Sequence, residues 1–258
     1  MKRYLVHLQI AGSLLAGLVI VPRSRADELI DTIARVKSSV VAIAIRNKTK
    51  APPIRFIGTG FTVGDGLTVI TNAHVADAVA TEAGNELGVV SNEGDTTGFR
   101  EADTVYRDAR HDLAKLKIGG APLPTLKIGN SDTVKEGQSL LFTGFPLGML
   151  LGFHHVTHHA MISAITPIAI PATSPRGLNA KVIKQLQTKP YYVFQLDGTA
   201  YPGNSGSPLY DPITGNVLGI INKVFVKGTK EAAVSQPSGI TYAIPSKFIA
   251  ELLAQGKQ

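Results

Sequence analysis

The chain has no cysteine among its 258 residues, so no disulfide can brace it and the fold must rest on its core. No dense block of lysine and arginine interleaved with aromatics occurs, which leaves nucleic-acid binding without support. Apolar runs are short as well: the longest, "IAGSLLAGLVIV" from Ile10 to Val21, falls below the ~20 residues that span a bilayer comfortably. There is no internal repeat and no Ser/Gly linker marking a second domain.

What is present begins with a leader. Lys2 and Arg3 precede the apolar run, and "SRA" with small residues at Ser24 and Ala26 follows it, the pattern of an export signal cut after Ala26. Residues 1–26 carry Lys2, Arg3, Arg23 and Arg25 and no acid, so removing these four charges lowers the net charge from +7 to +3. The basic total is thus partly a property of the leader. Membrane contact is expected only through an uncleaved leader, and the mature chain is expected outside the cytoplasm.

With 44% hydrophobic residues, 26 glycines and 15 prolines spread along the chain, residues 27–258 read as many short strands joined by turns. A lead-in helix is expected in "DELIDTIARVK", with Leu29, Ile30, Ile33 and Val36 on its apolar face. Strands follow in "VVAIAIRN", in "GTGFTVGDGLTVITNAHV" around a "GDG" turn, and in "HDLAKLKI", "SLLFTGFP", "VTHHAMISAI", "YYVFQLDG", "GSPLYDPITGNVLGIINKVF" and "GITYAIP". The sequence closes on a helix in "PSKFIAELLAQG", capped by Ser246, with Phe248, Ile249, Leu252 and Leu253 as its apolar face and Gly256 ending it. Residues 170–190 read as a long loop.

The chemistry concentrates in "YPGNSGSPLYD", residues 201–211, where Ser205 sits between Gly203 and Gly206 with Pro202 and Pro208 outside them. Such residues make an ordinary turn; they also suit a nucleophile whose neighbouring amides must point at a substrate oxygen. A serine nucleophile needs a base. None of the seven histidines follows Ser205, which excludes the α/β-hydrolase order, and Ser207 stands where that fold's elbow needs glycine. His74, at the end of an apolar strand in "ITNAHVAD", is the candidate base. Asp112, opening the strand "DLAKLKI" on the face of Ala114, Leu116 and Ile118, is the candidate acid that fixes the histidine tautomer. Read one at a time, His74 could be a structural histidine and Asp112 a turn residue; together with Ser205 they occur in the order His, Asp, Ser.

The blocks "TNAHV", "HDLAKLKI", "PGNSGSPL", "GNVLGIINK" and "GITYAIPS" resemble the successive signatures of trypsin-like serine proteases of the HtrA/Deg type, over about residues 28–255. The resemblance implies an all-β fold of two six-stranded β-barrels with short N- and C-terminal helices, divided at about residues 27–125 and 126–258. It implies His74 as base, Asp112 as its orienter, Ser205 as nucleophile, and the amides of Gly203 and Ser205 as oxyanion hole. Unfolded or flexible proteins would be the substrates, no cofactor or metal is required, and the resemblance allows a trimer without fixing the oligomeric state. Thr199, six before Ser205, takes the floor of the primary pocket, with Ala200, Ile220, Ile221, Asn222, Lys223 and the stretch Gly239 to Tyr242 around it. A neutral floor predicts small to medium aliphatic residues before the cut, unless Asp197 takes that place.

The sequence departs from the family in three ways. Ser207 replaces a common second glycine. The sequence given closes at the terminal helix, without the family's usual PDZ domain, so peptide-sensed regulation and cage assembly are not expected. Asn204 stands where digestive-type zymogens carry an aspartate, so activation through a new N-terminus is not expected, and the lack of cysteine sets the chain apart from animal secreted proteases. Two readings from other classes remain. One is a silent peptide-binding scaffold. The other is a metal site in "HHVTHH", but on a strand His154 and His158 face one way and His155 and His159 the other, ~13 Å apart within each pair.

Overall fold

The structure, a computed structural model, describes residues 25–93, 96–147, 153–168, 190–224 and 240–255. The apolar run of the leader and nearly all of the expected 170–190 loop lie outside them. Helix α1 (Arg25–Lys37) has Asp27 and Glu28 in its first turn and Arg35 and Lys37 in its last, the charge order that the helix dipole favours. Leu29, Ile33 and Val36 turn toward the core, but Ile30 is 64% exposed, so the inward stripe is one residue narrower than expected. The helix is tied to the second half of the chain, with the Thr32 hydroxyl donating to the carbonyl of Ile213 at 3.0 Å.

Six strands follow: β1 (Val40–Arg46), β2 (Ile54–Val63), β3 (Thr68–Asn72), β4 (Glu86–Glu93), β5 (Thr96–Asp108) and β6 (Leu113–Ile118). They close into a barrel in the order β1-β2-β3-β6-β5-β4, every named pair antiparallel. Between β3 and β4 lies the short helix α2 (Ala73–Asp77). The second barrel is built from β7 (Ser139–Gly144), β8 (Val156–Pro167), β9 (Tyr192–Asp197), β10 (Pro208–Tyr210), β11 (Val217–Val224) and β12 (Ile240–Pro245), closed in the order β10-β11-β12-β9-β8-β7. Two closed six-stranded barrels with short helices at either end match the expected fold class.

The first barrel's "VVAIAIR" has no polar alternation because both faces of β1 are buried. Val41 and Ile43 point into the barrel with Val69, Val89 and Leu116, while Val40, Ala42 and Ala44 join a cluster that also contains Leu141, Phe145, Tyr210 and Ile220 of the second. Each large aliphatic side chain buried this way contributes roughly 1.5–3 kcal/mol. The second barrel fills with Leu140, Phe142, Ile162, Phe194 and Leu209.

Strands β4 and β5 are absent from the sequence expectation. In β5, the segment Arg100–Asp108 carries five charged residues and buries Ala102 alone, so it shows no apolar alternation; its pairing to β4 and β6 comes from the barrel's closure. Helix α3 (Ser246–Ala254) forms as expected, but Pro245 occupies the N-cap position and Ser246 is the first helical residue. The Ser246 hydroxyl donates to the carbonyl of Gly129 at 2.7 Å instead of capping. Gly256 lies outside the described residues.

Candidate active site

Strand β3 runs straight into α2, which places His74 one residue into the helix at the barrel's rim with Ala73, Val75 and Ala76 buried around it. A first-turn amide has no partner within its own helix. Here the His74 amide donates to Asp112 Oδ1 at 2.8 Å, and ring Nδ1 donates to Asp112 Oδ2 at 2.6 Å. One residue therefore engages both carboxylate oxygens, and with Nδ1 carrying the proton, Nε2 is left as the basic edge.

Asp112 is not part of β6, which starts one residue later; its φ of 53° is left-handed. Such a backbone costs a non-glycine residue of order 1–3 kcal/mol and persists only where its surroundings fix it. Its carbonyl accepts the Ala73 amide at 3.0 Å and the Asn72 side-chain amide at 3.1 Å. Asn72 thus leaves its own helix uncapped and holds the aspartate.

Ser205 lies in the loop before β10. Gly203 has φ 101° and Gly206 φ 90°; a Cβ on Gly206 would fall 1.9 Å from the Thr59 carbonyl oxygen, and one on Gly203 2.3 Å from that of Phe145. Both positions therefore require glycine. The amides of Asn204, Gly206 and Ser207 donate to Tyr201, Ile221 and Asn204 respectively. Those of Gly203 and Ser205 have no acceptor among the described residues. The same strand that carries Gly58 anchors the loop: Thr59 donates its amide to the Ser205 carbonyl at 2.9 Å and its hydroxyl to the Gly203 carbonyl at 2.7 Å.

Gly58 explains how the two halves approach. A Cβ there would stand 2.7 Å from Val75 Cγ1 and 3.1 Å from the Ser205 carbonyl oxygen, so the missing side chain admits α2 and the serine loop against the same point of β2. The half-buried Ser205 hydroxyl has no hydrogen-bond partner among the described residues, and its link to His74 is the one not made. Catalytic hydrogen bonds are often long or misaligned before substrate binds. Behind the loop, the Asn204 side-chain amide and the Ser207 hydroxyl are buried without partners among the described residues, and a Cβ on Gly144 would lie 2.0 Å from Ser207 Oγ.

The expected pocket residues divide. Thr199 and Asn222 are half-buried, Ala200 is buried with its amide donating to Thr241 Oγ1 at 3.1 Å, and the side chain of Lys223 lies outside the described residues. The side chains of Ile220 and Ile221 are wholly buried in the two core clusters, which leaves their backbone to face a pocket. Pairing of β11 with β12 slips between Ile221 and Val224, which bulges Asn222 and Lys223 out of register. Asp197 is exposed at the end of β9, its backbone paired in register with Ile240 and Met161. Gly239 lies outside the described residues.

The histidine tract does not split by the expected strand parity, because β8 starts only at Val156: His155 and His158 are half-buried while His154 and His159 are exposed. His158 faces the second barrel with Ala160 and Ile162, its ring stacked on Phe142 at 4.7 Å; His155 donates from Nε2 to the Val40 carbonyl at 2.8 Å, bridging the barrels. Burial pushes both imidazoles below the ordinary histidine range, and for His158 burial is the sole cause among the described residues. Among the described residues no group of three or more His, Cys, Asp or Glu could hold a metal ion.

Sequence reasoning missed Thr59, Gly58 and Asn72. Thr59 and Gly58 lie in "GTG", whose two glycines in a strand were the available sign of close backbone approach.

The trypsin-like peptidase domain family matches residues 58–220. A probable periplasmic serine endoprotease DegP-like of Halomonas elongata is 31% identical over 191 residues, covering 74% of this chain and 33% of that protein. One from Pseudomonas savastanoi pv. phaseolicola is 32% identical over 190 residues, covering 73% and 32%. The chain thus spans about a third of the length of these relatives. Among solved structures, the HtrA-type protease AlgW with tripeptide superposes with TM-score 0.62 at 26% identity, over 87% of this chain and 62% of that one. The Rv3671c protease from M. tuberculosis in its active form, at 22% identity, shares the fold with TM-score 0.62 over 96% and 93%.

Proposed function

Because the chain belongs to the trypsin-like peptidase family, we propose that it is a serine endopeptidase working by acyl transfer through Ser205, His74 and Asp112. His74 Nε2 takes the hydroxyl proton as Ser205 Oγ bonds to the carbonyl carbon of a peptide. The carbonyl oxygen becomes an oxyanion held by the amides of Gly203 and Ser205. The imidazolium returns the proton to the departing amine, the C–N bond breaks, and an acyl-enzyme remains. Water, deprotonated by the same imidazole, then releases the acid and restores Ser205.

The observation that carries this reading is the two-oxygen clasp of Asp112 on His74, at 2.8 and 2.6 Å, in a partly exposed pair beside the Ser205 loop. Buried His111 makes the same clasp on Asp108, so it is the exposure of the ring next to the serine loop, not the clasp alone, that marks His74. The two amides left without acceptors beside a half-buried serine hydroxyl support it further.

Flexible or unfolded polypeptide is the proposed substrate class, docked along the bulged Asn222–Lys223 edge, with Thr199 and Ala200 at the primary pocket. Export is proposed from the leader and from relatives named periplasmic. The test is labelling by a fluorophosphonate, which reacts only with an activated serine. Stoichiometric modification mapped to Ser205 is expected; an unlabelled folded protein would overturn the assignment and leave a silent peptide-binding scaffold.

A further inference from the structure

We infer that His111 is a positioning residue for the Asp112 carboxylate, through which the docking of α3 is coupled to the site. The inference rests on the triad reading above. His111 immediately precedes Asp112, is buried, and forms a second His–Asp pair of its own: Nδ1 donates to Asp108 Oδ2 at 2.6 Å. The other oxygen of Asp108 accepts the amides of Arg110 at 2.9 Å and of His111 at 3.1 Å, closing the turn that leads to Asp112. Burial works against the Asp108 charge, yet the hydrogen bonds and charge of His111 and the amide of Arg110 hold its carboxyl below the ordinary range.

The ring itself is clamped. It stacks on Phe248 of α3 at 4.0 Å and 16°, and Tyr191 meets it edge-on at 4.7 Å and 72°. Tyr191 also packs edge-on against Phe248 at 5.3 Å, and burial with the neighbouring charges of Asp112 and Asp108 pushes its hydroxyl up to about 12. The helix beneath is fixed independently, by Lys115 Nζ donating to the Gln255 carbonyl at 2.6 Å and the Lys247 amide donating to Ser131 Oγ at 3.0 Å.

The need for such an anchor follows from the backbone. The left-handed φ of Asp112 is held on one side by the start of β6 and on the other by His111. A turn released at residue 111 relaxes toward an ordinary φ, and the carboxylate then cannot reach both the amide and Nδ1 of His74. Among the described residues, the hydrogen bonds and ring contacts of His111 go to Asp108, Tyr191 and Phe248 rather than to the proposed nucleophile or base; it acts through Asp112.

The experiment compares fluorophosphonate labelling rates of the full chain and follows the far-downfield proton resonance of the His74–Asp112 hydrogen bond. His111→Phe keeps an aromatic face on Phe248 and deletes the bond to Asp108. It should label ~10- to 100-fold more slowly, as small misplacements of catalytic groups do, and lose or shift that resonance at unchanged circular dichroism. His111→Asn, whose amide can replace Nδ1 as donor, should recover most of the rate. With a peptide substrate the loss should fall on kcat and leave KM within about twofold. If His111→Phe does not fold, Asp108→Ala is read in the same way. Wild-type labelling and an unmoved resonance in the folded variant would overturn the inference alone, provided Asp112→Asn abolishes labelling. Unimpaired labelling of Asp112→Asn would overturn the triad reading and this one together.

Discussion

Thr59, on the second strand of the first barrel, donates its backbone amide to the carbonyl of Ser205 at 2.9 Å. Its hydroxyl donates to the Gly203 carbonyl at 2.7 Å and accepts the Phe145 amide at 3.1 Å, so one side chain joins three segments of the site. Thr59→Val keeps the shape and the amide but leaves the half-buried Gly203 carbonyl and the buried Phe145 amide without this partner. A stability loss of about 1–3 kcal/mol is expected by urea denaturation, together with slower fluorophosphonate labelling. Wild-type values for both would mean the loop is held without the hydroxyl.

Residues that act as one catalytic unit lose their effects non-additively. Ser205→Ala and His74→Ala should each lower turnover by several orders of magnitude, and the double variant should be little worse. Asp112→Asn should fold and lose on the order of 10⁴ in rate, because the amide stabilises the wrong imidazole tautomer. Near-wild-type cleavage of a denatured protein by any single variant would take that residue out of the mechanism.

Primary specificity should be neutral. If Thr199 is the pocket floor as proposed, an entering lysine or arginine side chain meets a neutral hydroxyl there, and an unpaired buried cation is strongly disfavoured. Cleavage-site profiling should show Val, Ala, Leu or Thr before the cut. A dominant Lys/Arg preference would assign the floor to Asp197, against its exposed position at the end of β9.

Acid should weaken the fold through the tract in β8 and the loop before it. Burial pushes His155 and His158 below the ordinary histidine range in the fold. In the unfolded chain they protonate near the ordinary value of about 6.5. Below that pH the unfolded state binds more protons than the folded one, so stability is complete above it and falls as pH drops toward the depressed folded values. Melting temperatures at pH 7.5 and 5.5 should show a larger acid loss for the wild type than for the double variant His155→Gln/His158→Gln. Equal losses would show that neither imidazole is the cause.

Processing is the fifth expectation. Cleavage after Ala26 leaves Asp27 and Glu28 at the start of α1, acids at a helix N-terminus where they are favoured. Intact mass of the exported protein should correspond to a chain beginning at Asp27. Retention of residues 1–26 on a membrane-bound product would contradict it.

Much of this arrangement is legible in the sequence, and what is not has a common cause. Strands buried on two faces, such as "VVAIAI", or turned by "GDG", announce themselves through local composition. His74, Asp112 and Ser205 are visible because each sits in a short motif of its own. The strand β5 escapes because its outer face is charged and its pairing is decided by barrel closure. A fully apolar pair in consecutive strand positions, Ile220 and Ile221, is what a strand buried on both faces requires, and their side chains are wholly buried. The roles of Thr59 and Asn72 come from partners far along the chain, which no local pattern encodes.

The clasp of His74 and Asp112 belongs wholly to the first barrel, while Ser205 belongs to the second and is tied back to β2 across a sequence separation of 144 residues at Gly203. Contacts that distant form late, since a long loop must close before they are rewarded. A half-synthesised or half-folded copy of this chain therefore holds the proposed base and its orienter with no proposed nucleophile to activate. On that assignment hydrolysis waits until both barrels have docked, so the order of folding would act as a safety catch written into the topology.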